Sequence, residues 1–343
     1  MNVPVSKNNK SLQKSIISIA IVVLFAGGII LSYFYGQLAP AKPDASGVEL
    51  FDIESGSTPG EIAGQLERQG LIKNAEVFLL YSRLVGKIDK FKAGQYFIDP
   101  SFDAPKIMDI IEKGKVATMS FTILEGYDLR QIANVLIDKG ITTDEEYWKV
   151  VQNHPYDYSF LQDLPVAETR LEGYLFPDTY IIPMGMSVEN VVDVMLRRFE
   201  QIYKRMPENQ TGLSMHEVVT LASIIEGESL LDKERPLIAS VFLNRLNIGM
   251  KLDSCATIQY ILGERKERLL YSDLEIESTY NTYLNKGLPP GPIGSPGEAS
   301  IKAVLEAEDT KYMYFVAKKD GSGEHVFSKT LQEHNRNKNL LGY

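Results

Sequence analysis

The N-terminal part of the chain carries an uncharged apolar run that is long enough to cross a membrane. No charged residue occurs from Ser15 to Ala41, and the segment from Ile16 to Tyr35 is rich in Ile, Val and Leu. About 20 consecutive apolar residues span a bilayer. We therefore assign residues 1–14 to a cytoplasmic tail, 15–35 to a transmembrane helix and 36–47 to a linker.

Flanking charge gives this run a direction. Lys7, Lys10 and Lys14 precede the Ile16–Tyr35 segment, and no charge occurs just after it, in residues 36–41. The N-terminus should therefore stay in the cytoplasm, and the rest should lie on the outer side of the cytoplasmic membrane. A cleaved signal peptide is the alternative, because Ala39-Pro40-Ala41 resembles a cleavage site. However, the run exceeds the roughly 7 to 15 apolar residues of a signal core. Both interpretations export the remainder.

The composition of the exported part argues against several classes of protein. The 343 residues allow two or three domains. The net charge of −9, near −12 without the three N-terminal lysines, argues against nucleic acid as a partner. Cys255 is the only cysteine, the four histidines lack metal-ligand spacing, and no glycine-rich phosphate loop occurs. We expect either an enzyme without metal or cofactor, or a binding protein.

Two segments with the same local signals follow the apolar run. The segments that begin at Phe51 and Phe121 each predict a strand, a turn and a helix, and their helices have capping-box spacing at Thr58-Glu61 and Asp128-Gln131. Either duplication or the common signals of capped helices would produce this match. A helix from Ala75 to Val85 and a strand from Gln95 to Ile98 should complete a strand-helix-helix-strand unit.

That order of elements is shared by LysM domains, which bind N-acetylated glycans, although a packing domain without a ligand has the same order. We assign residues 48–118 to a LysM-like subdomain and 119–343 to a larger catalytic domain. Near its end, Tyr312–Ala317 and His325–Phe327 predict a hairpin. The fold class is α+β, since helices alternate irregularly with short strands.

Glu226 is the strongest candidate for a catalytic group. Ser214 and Glu217 predict a helix that starts at Met215, runs through apolar residues and brings Glu226 beside Val219. Apolar neighbours and the negative end of the helix favour a neutral acid, which can protonate the leaving oxygen of a glycosidic bond. A surface glutamate paired with Lys233 or Arg235 is the alternative.

Two further segments have the residue types of a sugar site. Leu171–Tyr180 is dense in aromatic residues, including Tyr174, which suit the faces of sugar rings. Tyr280–Tyr283 precedes a Pro/Gly-rich loop, and Asn281 would suit an acetamido group. Both segments also fit ordinary structural turns. The candidate substrate ligands are Asn281, Tyr283 and Tyr174, together with Thr257 and Gln259, which lie between Glu226 and Tyr280 in the sequence.

Together these motifs resemble one family, the YceG-like endolytic murein transglycosylases. The resemblance rests on four segments, Leu221–Glu228, Val241–Leu252, Tyr280–Tyr283 and Gly287–Ile293. It implies a single-pass anchor, a LysM-like subdomain and catalysis by Glu226 on nascent peptidoglycan strands. It also makes wall synthases candidate partners. One departure is that Cys255-Ala256 precedes Thr257 where members often have Asp-Pro.

The reaction that this resemblance implies needs one acid. Glu226 would protonate the oxygen that leaves the MurNAc–GlcNAc bond and then deprotonate the MurNAc 6-hydroxyl, which gives a 1,6-anhydro-MurNAc end. A muramidase is the alternative, with Glu172, Asp178 or Asp253 as the second carboxylate. A non-catalytic glycan-binding scaffold is another, and a peptidase fits less well because no Ser/His/Asp grouping is apparent.

Overall fold

The apolar run forms one long helix in the structure, a computed structural model that describes residues 8–45, 49–162, 164 and 169–343. Helix α1 spans Asn8–Leu38. Its segment Ser15–Leu38 is, among the described residues, the one helix long and apolar enough to cross a membrane. The first half of the predicted cytoplasmic tail, residues 1–7, and the end of the predicted linker, residues 46–47, lie outside the described residues.

The first compact unit comprises Met1–Met119 and Pro183–Gly185. After α1 it contains β1 (Glu49–Ile53), α2 (Pro59–Arg68), α3 (Ala75–Leu84), β2 (Gly94–Ile98) and α4 (Ala104–Lys113). Strands β1 and β2 pair antiparallel, with Phe51 opposite Tyr96. The predicted strand-helix-helix-strand order is confirmed, whereas the likeness to LysM domains stays a prediction.

The end of α1 belongs to the apolar core of this unit. Leu38 is 4% exposed and lies in the same cluster as Phe51, Ile62 and Phe78, and Phe34 packs against that cluster. The ammonium of Lys73 donates to the carbonyl of Gly36. The helix therefore continues beyond the predicted span, because its last turn buries apolar surface against the unit instead of leading into a free linker.

The second compact unit comprises Ser120–Ile182 and Met186–Tyr343. Its elements begin with β3 (Thr118–Thr122), α5 (Leu129–Asp138), α6 (Asp144–Asn153), α7 (Ser159–Gln162), β4 (Thr179–Pro183), α8 (Val188–Tyr203) and α9 (Met215–Glu228). They continue with α10 (Arg235–Asn247), α11 (Cys255–Leu262), α12 (Tyr271–Leu274), α13 (Glu298–Leu305), β5 (Tyr314–Ala317), β6 (His325–Ser328) and α14 (Leu331–Leu340).

The described strands form three separate two-stranded sheets, β1-β2, β3-β4 and β5-β6. The β5-β6 pair is antiparallel, which confirms the predicted hairpin. The capping boxes before α2 and α5 are both present, so the two strand-turn-helix segments begin their helices in the same way. Many helices with small separate sheets make a mixed α+β fold, as the sequence predicted.

Helix α9 is the centre of the second unit. Its N-terminus has the predicted capping box, in which Ser214 and Glu217 satisfy each other's backbone N–H groups. Every residue from Val218 to Ile225 is buried, because α10, α11 and α13 pack around it. A helix that is apolar on all sides is a core helix. Its last turn therefore holds Glu226 in a fixed position.

Candidate active site

The Glu226 carboxyl group lies almost entirely inside the protein and is held by one of its two oxygens. Its side chain is 7% exposed. Oε2 accepts a hydrogen bond of 2.8 Å from Nη1 of Arg235 and one of 3.0 Å from the backbone N–H of Gly297. Among the residues that the structure describes, no hydrogen bond reaches Oε1. One oxygen is thus anchored and the other is available to a ligand.

We expected apolar neighbours around the Glu226 carboxyl group, but the structure places the guanidinium group of Arg235 beside it. It begins α10 and its side chain is 6% exposed. Nη1 also donates to the hydroxyl of Ser300, and Nε lies 3.1 Å from a carboxylate oxygen of Asp232. The alternative of an Arg235 ion pair is therefore the arrangement observed, but the pair is buried. A buried pair with several hydrogen bonds fixes geometry more firmly than an exposed one.

The Pro/Gly-rich loop is attached along one face of α9. His216 Nε2 lies 2.9 Å from the carbonyl oxygen of Pro290, and the N–H of Ile293 donates to Ser223 Oγ at 3.0 Å. With the Gly297 N–H on Glu226, three contacts follow the helix from its first turn to its last. The loop therefore forms a rigid wall beside the carboxyl group.

The turn between β3 and α5 is bonded to the same loop. The N–H of Gly126 donates to the carbonyl of Ser295, and the N–H of Ser295 donates to the carbonyl of Tyr127, each at 2.8 Å. Gly294 has a φ of +155°, and a Cβ there would lie 2.6 Å from the Gly126 carbonyl oxygen. Only glycine allows this close approach. Turn and loop thus meet over the end of α9.

A second carboxyl group, which the sequence analysis did not single out, lies beside Glu226. Glu125 is in the β3-α5 turn, with a side chain that is 52% exposed and Oε2 4.0 Å from Nη2 of Arg235. Burial and the charge of Glu226 raise the pKa of Glu125. The sequence could have indicated Glu125 through a comparison of the two strand-turn-helix segments. The first segment has Ser55 at the equivalent position, so the carboxyl group is specific to the second segment.

A cavity of about 680 Å³ opens beside these groups within the second unit. It borders Ser223 and Gly227, on either side of Glu226 in α9. Its other walls come from the start of α5, from α11 and from the segment 263–267. A volume of this size is typical of ligand sites, which measure roughly 300–1,000 Å³.

The structure places one of the predicted substrate ligands, Gln259, in the lining of this cavity. Its amide bonds the backbone of Lys266 through both atoms, at 2.9 Å and 2.8 Å. Thr257 is fully buried and bonds Ser254 and Thr282. Gln259 therefore shapes the cavity wall, whereas the hydroxyl of Thr257 is used within the protein. Their roles as ligands stay predictions.

Asn281, Tyr174 and Tyr283 also have partners within the protein. The Asn281 amide, fully buried, donates to the carbonyls of Leu274 and Ile276 and accepts from the N–H of Tyr283. The Tyr174 hydroxyl lies 2.8 Å from His216 Nδ1, and its ring is fully buried. The Tyr283 hydroxyl lies 3.1 Å from Cys255 Sγ. These contacts favour structural roles, and substrate binding by the three stays a prediction.

Glu228, the other acid in the last turn of α9, caps the neighbouring helix α11. Its Oε1 accepts from the hydroxyl of Ser254 and, at 3.3 Å, from the N–H of Ala256. Negative charge at a helix N-terminus is stabilising. Glu228 thus joins α9 to α11 and brings Cys255 and Ala256 to the cavity.

The three acids that we considered as a second carboxylate have other partners. Glu172 is buried, accepts from the N–H of Leu129 and the hydroxyl of Tyr260, and burial raises its pKa to about 8. Asp178 pairs with Arg198 at 2.7 Å, and Asp253 lies 3.6 Å from Arg245. Within the described ranges, no group of three or more His, Cys, Asp or Glu side chains has metal-site geometry.

Comparison with known proteins gives consistent matches over most of the chain. The profile of the YceG-like family matches residues 51–340. An endolytic murein transglycosylase of Bacillus subtilis is 35% identical over 333 residues, which cover 92% of this chain and 90% of that protein. One of the same name from Streptococcus pneumoniae is 31% identical over 348 residues, and there the match spans only 63% of the relative's length.

A solved structure supports the same assignment. The crystal structure of a yceG-like protein from Listeria monocytogenes matches with a TM-score of 0.54 and 32% identity, covering 86% of this chain and 100% of that one. The family profile includes β1 and the elements after it, among them α9 and the Pro/Gly-rich loop. On these findings the chain belongs to the YceG-like family.

Proposed function

We propose that this protein is a peptidoglycan lytic transglycosylase that cuts glycan strands internally. The bond cleaved is the β-1,4 bond between MurNAc and GlcNAc, and the product is a 1,6-anhydro-MurNAc end that terminates a growing strand. The observation that carries this proposal is the Glu226 carboxyl group, anchored through Oε2 with Oε1 unbonded in the described structure, beside a cavity of about 680 Å³.

In the reaction, Glu226 acts first as an acid and then as a base. Its proton goes to the glycosidic oxygen as the C1–O bond breaks, and the leaving sugar departs as an alcohol. The carboxylate then takes the proton of the MurNAc 6-hydroxyl, whose oxygen forms the new bond to C1. No water is consumed, and Glu226 regains its proton. Arg235 and the Gly297 N–H stabilise the carboxylate between the two steps.

A muramidase is the alternative that one observation favours. Hydrolysis with two carboxylates needs a second acid near the first, and Glu125 is such an acid, since Arg235 contacts both it and Glu226. The three acids considered from the sequence pair with other groups. Hydrolysis would give a reducing end, which contains one water more than the anhydro end.

The membrane helix fits an enzyme that works where strands are made. We propose that Ser15–Leu38 is a single-pass anchor and that the residues after it lie on the outer side of the cytoplasmic membrane. The LysM-like interpretation of the first unit would give it a role in holding glycan strands. Peptidoglycan synthases are then candidate partners, because their products would emerge close to the anchor.

The test compares the full-length protein in detergent with two variants, using uncrosslinked peptidoglycan strands and mass spectrometry of the products. Glu226→Gln keeps an oxygen that accepts from Arg235 and Gly297 but has no proton to give, so it should fold and lose at least about 100-fold in rate. Glu298→Gln, an exposed acid one residue from Gly297, is the matched control and should keep wild-type activity.

Each product pattern has a defined meaning. Anhydro ends from the wild type and the control, but not from Glu226→Gln, would support the proposal. Reducing ends would favour the muramidase. Strands that stay intact but bind the protein would favour a glycan-binding scaffold. Substantial lytic activity in Glu226→Gln would remove Glu226 from the acid/base role.

A further inference from the structure

Glu125 lies beside the groups that hold the anchored oxygen of Glu226. Nη2 of Arg235 lies 4.0 Å from Glu125 Oε2, while Nη1 of the same guanidinium donates to Glu226. The Glu125 carboxyl group occupies the space that a Cβ on Gly297 would need, and Gly297 is the residue whose N–H holds Glu226. A Cβ on Gly126 would lie 3.5 Å from Glu226 Cγ. Both carboxyl groups therefore share one arginine and one backbone segment.

Charge makes these two carboxyl groups interdependent. Arg235 can balance one negative charge, but Glu125, Glu226 and Asp232 all contact it. Asp232 is 78% exposed, so water screens its charge, whereas the Glu226 side chain is 7% exposed. Two carboxylates at one site with a single buried cation resist simultaneous ionisation. The pair should retain one proton after an isolated surface acid would have lost it.

Glu125 and Glu226 differ in solvent exposure, which suits Glu125 to proton exchange with water and Glu226 to proton transfer to a substrate. One oxygen of Glu226 has no hydrogen bond from the described residues, and the side chain has little solvent contact, which suits proton transfer to a bound sugar. Glu125 is half exposed and within reach of water, so it can exchange its proton with solvent. Burial and the Glu226 charge raise the pKa of Glu125, which agrees with a proton held in common.

We infer that Glu125 and Glu226 form a coupled carboxyl pair around Arg235 that holds one proton, and that Glu125 is the positioning residue that keeps this proton available to Glu226. The inference rests on the proposed function and deepens it. The catalytic cycle stays balanced, since the proton that Glu226 gives to the leaving oxygen returns from the 6-hydroxyl.

The experiment is a pH profile of kcat/KM for strand cleavage by the full-length protein, with thermal unfolding measured in parallel. Glu125→Gln removes the charge and keeps the shape of the side chain. Without that charge the site no longer shares a proton between two carboxyl groups, so the alkaline limb of the profile, where the rate falls with rising pH, should move down by about one pH unit or more. At pH values above the alkaline limbs of both the wild type and Glu125→Gln, this shift corresponds to about a tenfold lower rate for the variant, because the protonated fraction falls tenfold per pH unit.

Three variants separate this role from a structural one. Glu125→Ser introduces the residue found at the equivalent position, Ser55, so the turn should accept it, and the alkaline limb should shift as in Glu125→Gln. Glu125→Asp keeps the charge and should keep the limb closer to the wild type. Glu298→Gln removes an exposed charge nearby and should leave the profile unchanged.

The inference fails if Glu125→Gln and Glu125→Ser have the wild-type alkaline limb, or if they lose activity equally at all pH values together with thermal stability. Glu226→Gln in the same assay separates the two claims. If it is inactive while the Glu125 variants resemble the wild type, the proposed function stands and only the pair is overturned. If Glu226→Gln cleaves strands, the proposed function fails as well.

Discussion

Replacing Arg235 by methionine tests how strongly the buried ion pair determines the stability of the second unit. The side chains of Arg235 and Glu226 are 6% and 7% exposed, and their closest atoms are 2.8 Å apart. Removing Arg235 leaves the Glu226 carboxyl group buried without its cation, which costs roughly 3–5 kcal/mol. In Glu226→Gln, by contrast, Arg235 keeps the carboxylate of Asp232 3.1 Å from Nε. Because domains are stable by about 5–15 kcal/mol in total, Arg235→Met should remove a large part of that stability.

The double variant Arg235→Met/Glu226→Leu supplies the comparison. It replaces both charges by apolar groups, and such replacement of a buried pair is often neutral or stabilising. We expect it to recover at least about 1 kcal/mol relative to Arg235→Met alone, although Ser300 then loses its guanidinium partner.

The assay is urea unfolding of the full-length protein in detergent, followed by the fluorescence of Trp148, which lies in α6 of the second unit. The midpoint and slope give the free energy of unfolding. An Arg235→Met variant that loses less than about 1 kcal/mol would refute the argument, since the pair would then behave like an exposed one. A double variant as unstable as the single one would refute it too.

Two further predictions follow from single groups. Gly297→Ala should displace the half-exposed carboxyl group of Glu125 without breaking the Gly297 N–H bond to Glu226. The alkaline limb of its pH profile should therefore move in the same direction as that of Glu125→Gln, and the double variant Glu125→Gln/Gly297→Ala should show no additional shift. An unchanged limb in Gly297→Ala would contradict this. Because burial raises the pKa of Glu172 to about 8 from its usual 4.5, the folded protein holds that proton after the unfolded chain has lost it. Wild-type stability should therefore fall as pH rises through this window. Glu172→Gln should cancel that loss, so its advantage in urea unfolding should grow from pH 5 to pH 8; a constant difference would show that Glu172 does not titrate in this way.

Features that depend on neighbours in sequence could be predicted. Ser214 and Glu217 correctly gave the start of α9, and the capping boxes of α2 and α5 were correctly placed. Local hydrogen bonds decide these helix ends, so the residue types and their spacing contain the information. The β5-β6 hairpin follows in the same way from two short apolar strands around a Gly-containing turn.

The surroundings of Glu226 could not be predicted because they come from distant parts of the chain. Gly297 is 71 positions away from Glu226, and Glu125 reaches the site from the β3-α5 turn. Residue spacing shows a helical face but not which loop covers it. For the same reason, Asn281 has the right chemistry for a sugar ligand, yet its amide is occupied by three backbone groups of its own loop.

The burial of Leu38 in the first unit has a consequence for the concentration of substrate that the enzyme meets. A long flexible tether would let that unit explore a large volume, and its effective concentration at any one strand would fall steeply with tether length. Here α1 ends inside the apolar core of the unit, so with the proposed anchor this unit would stay within a short distance of the bilayer surface. Under the proposed function its search would be confined to two dimensions, and newly made strands at that surface would be encountered far more often than mature wall farther away.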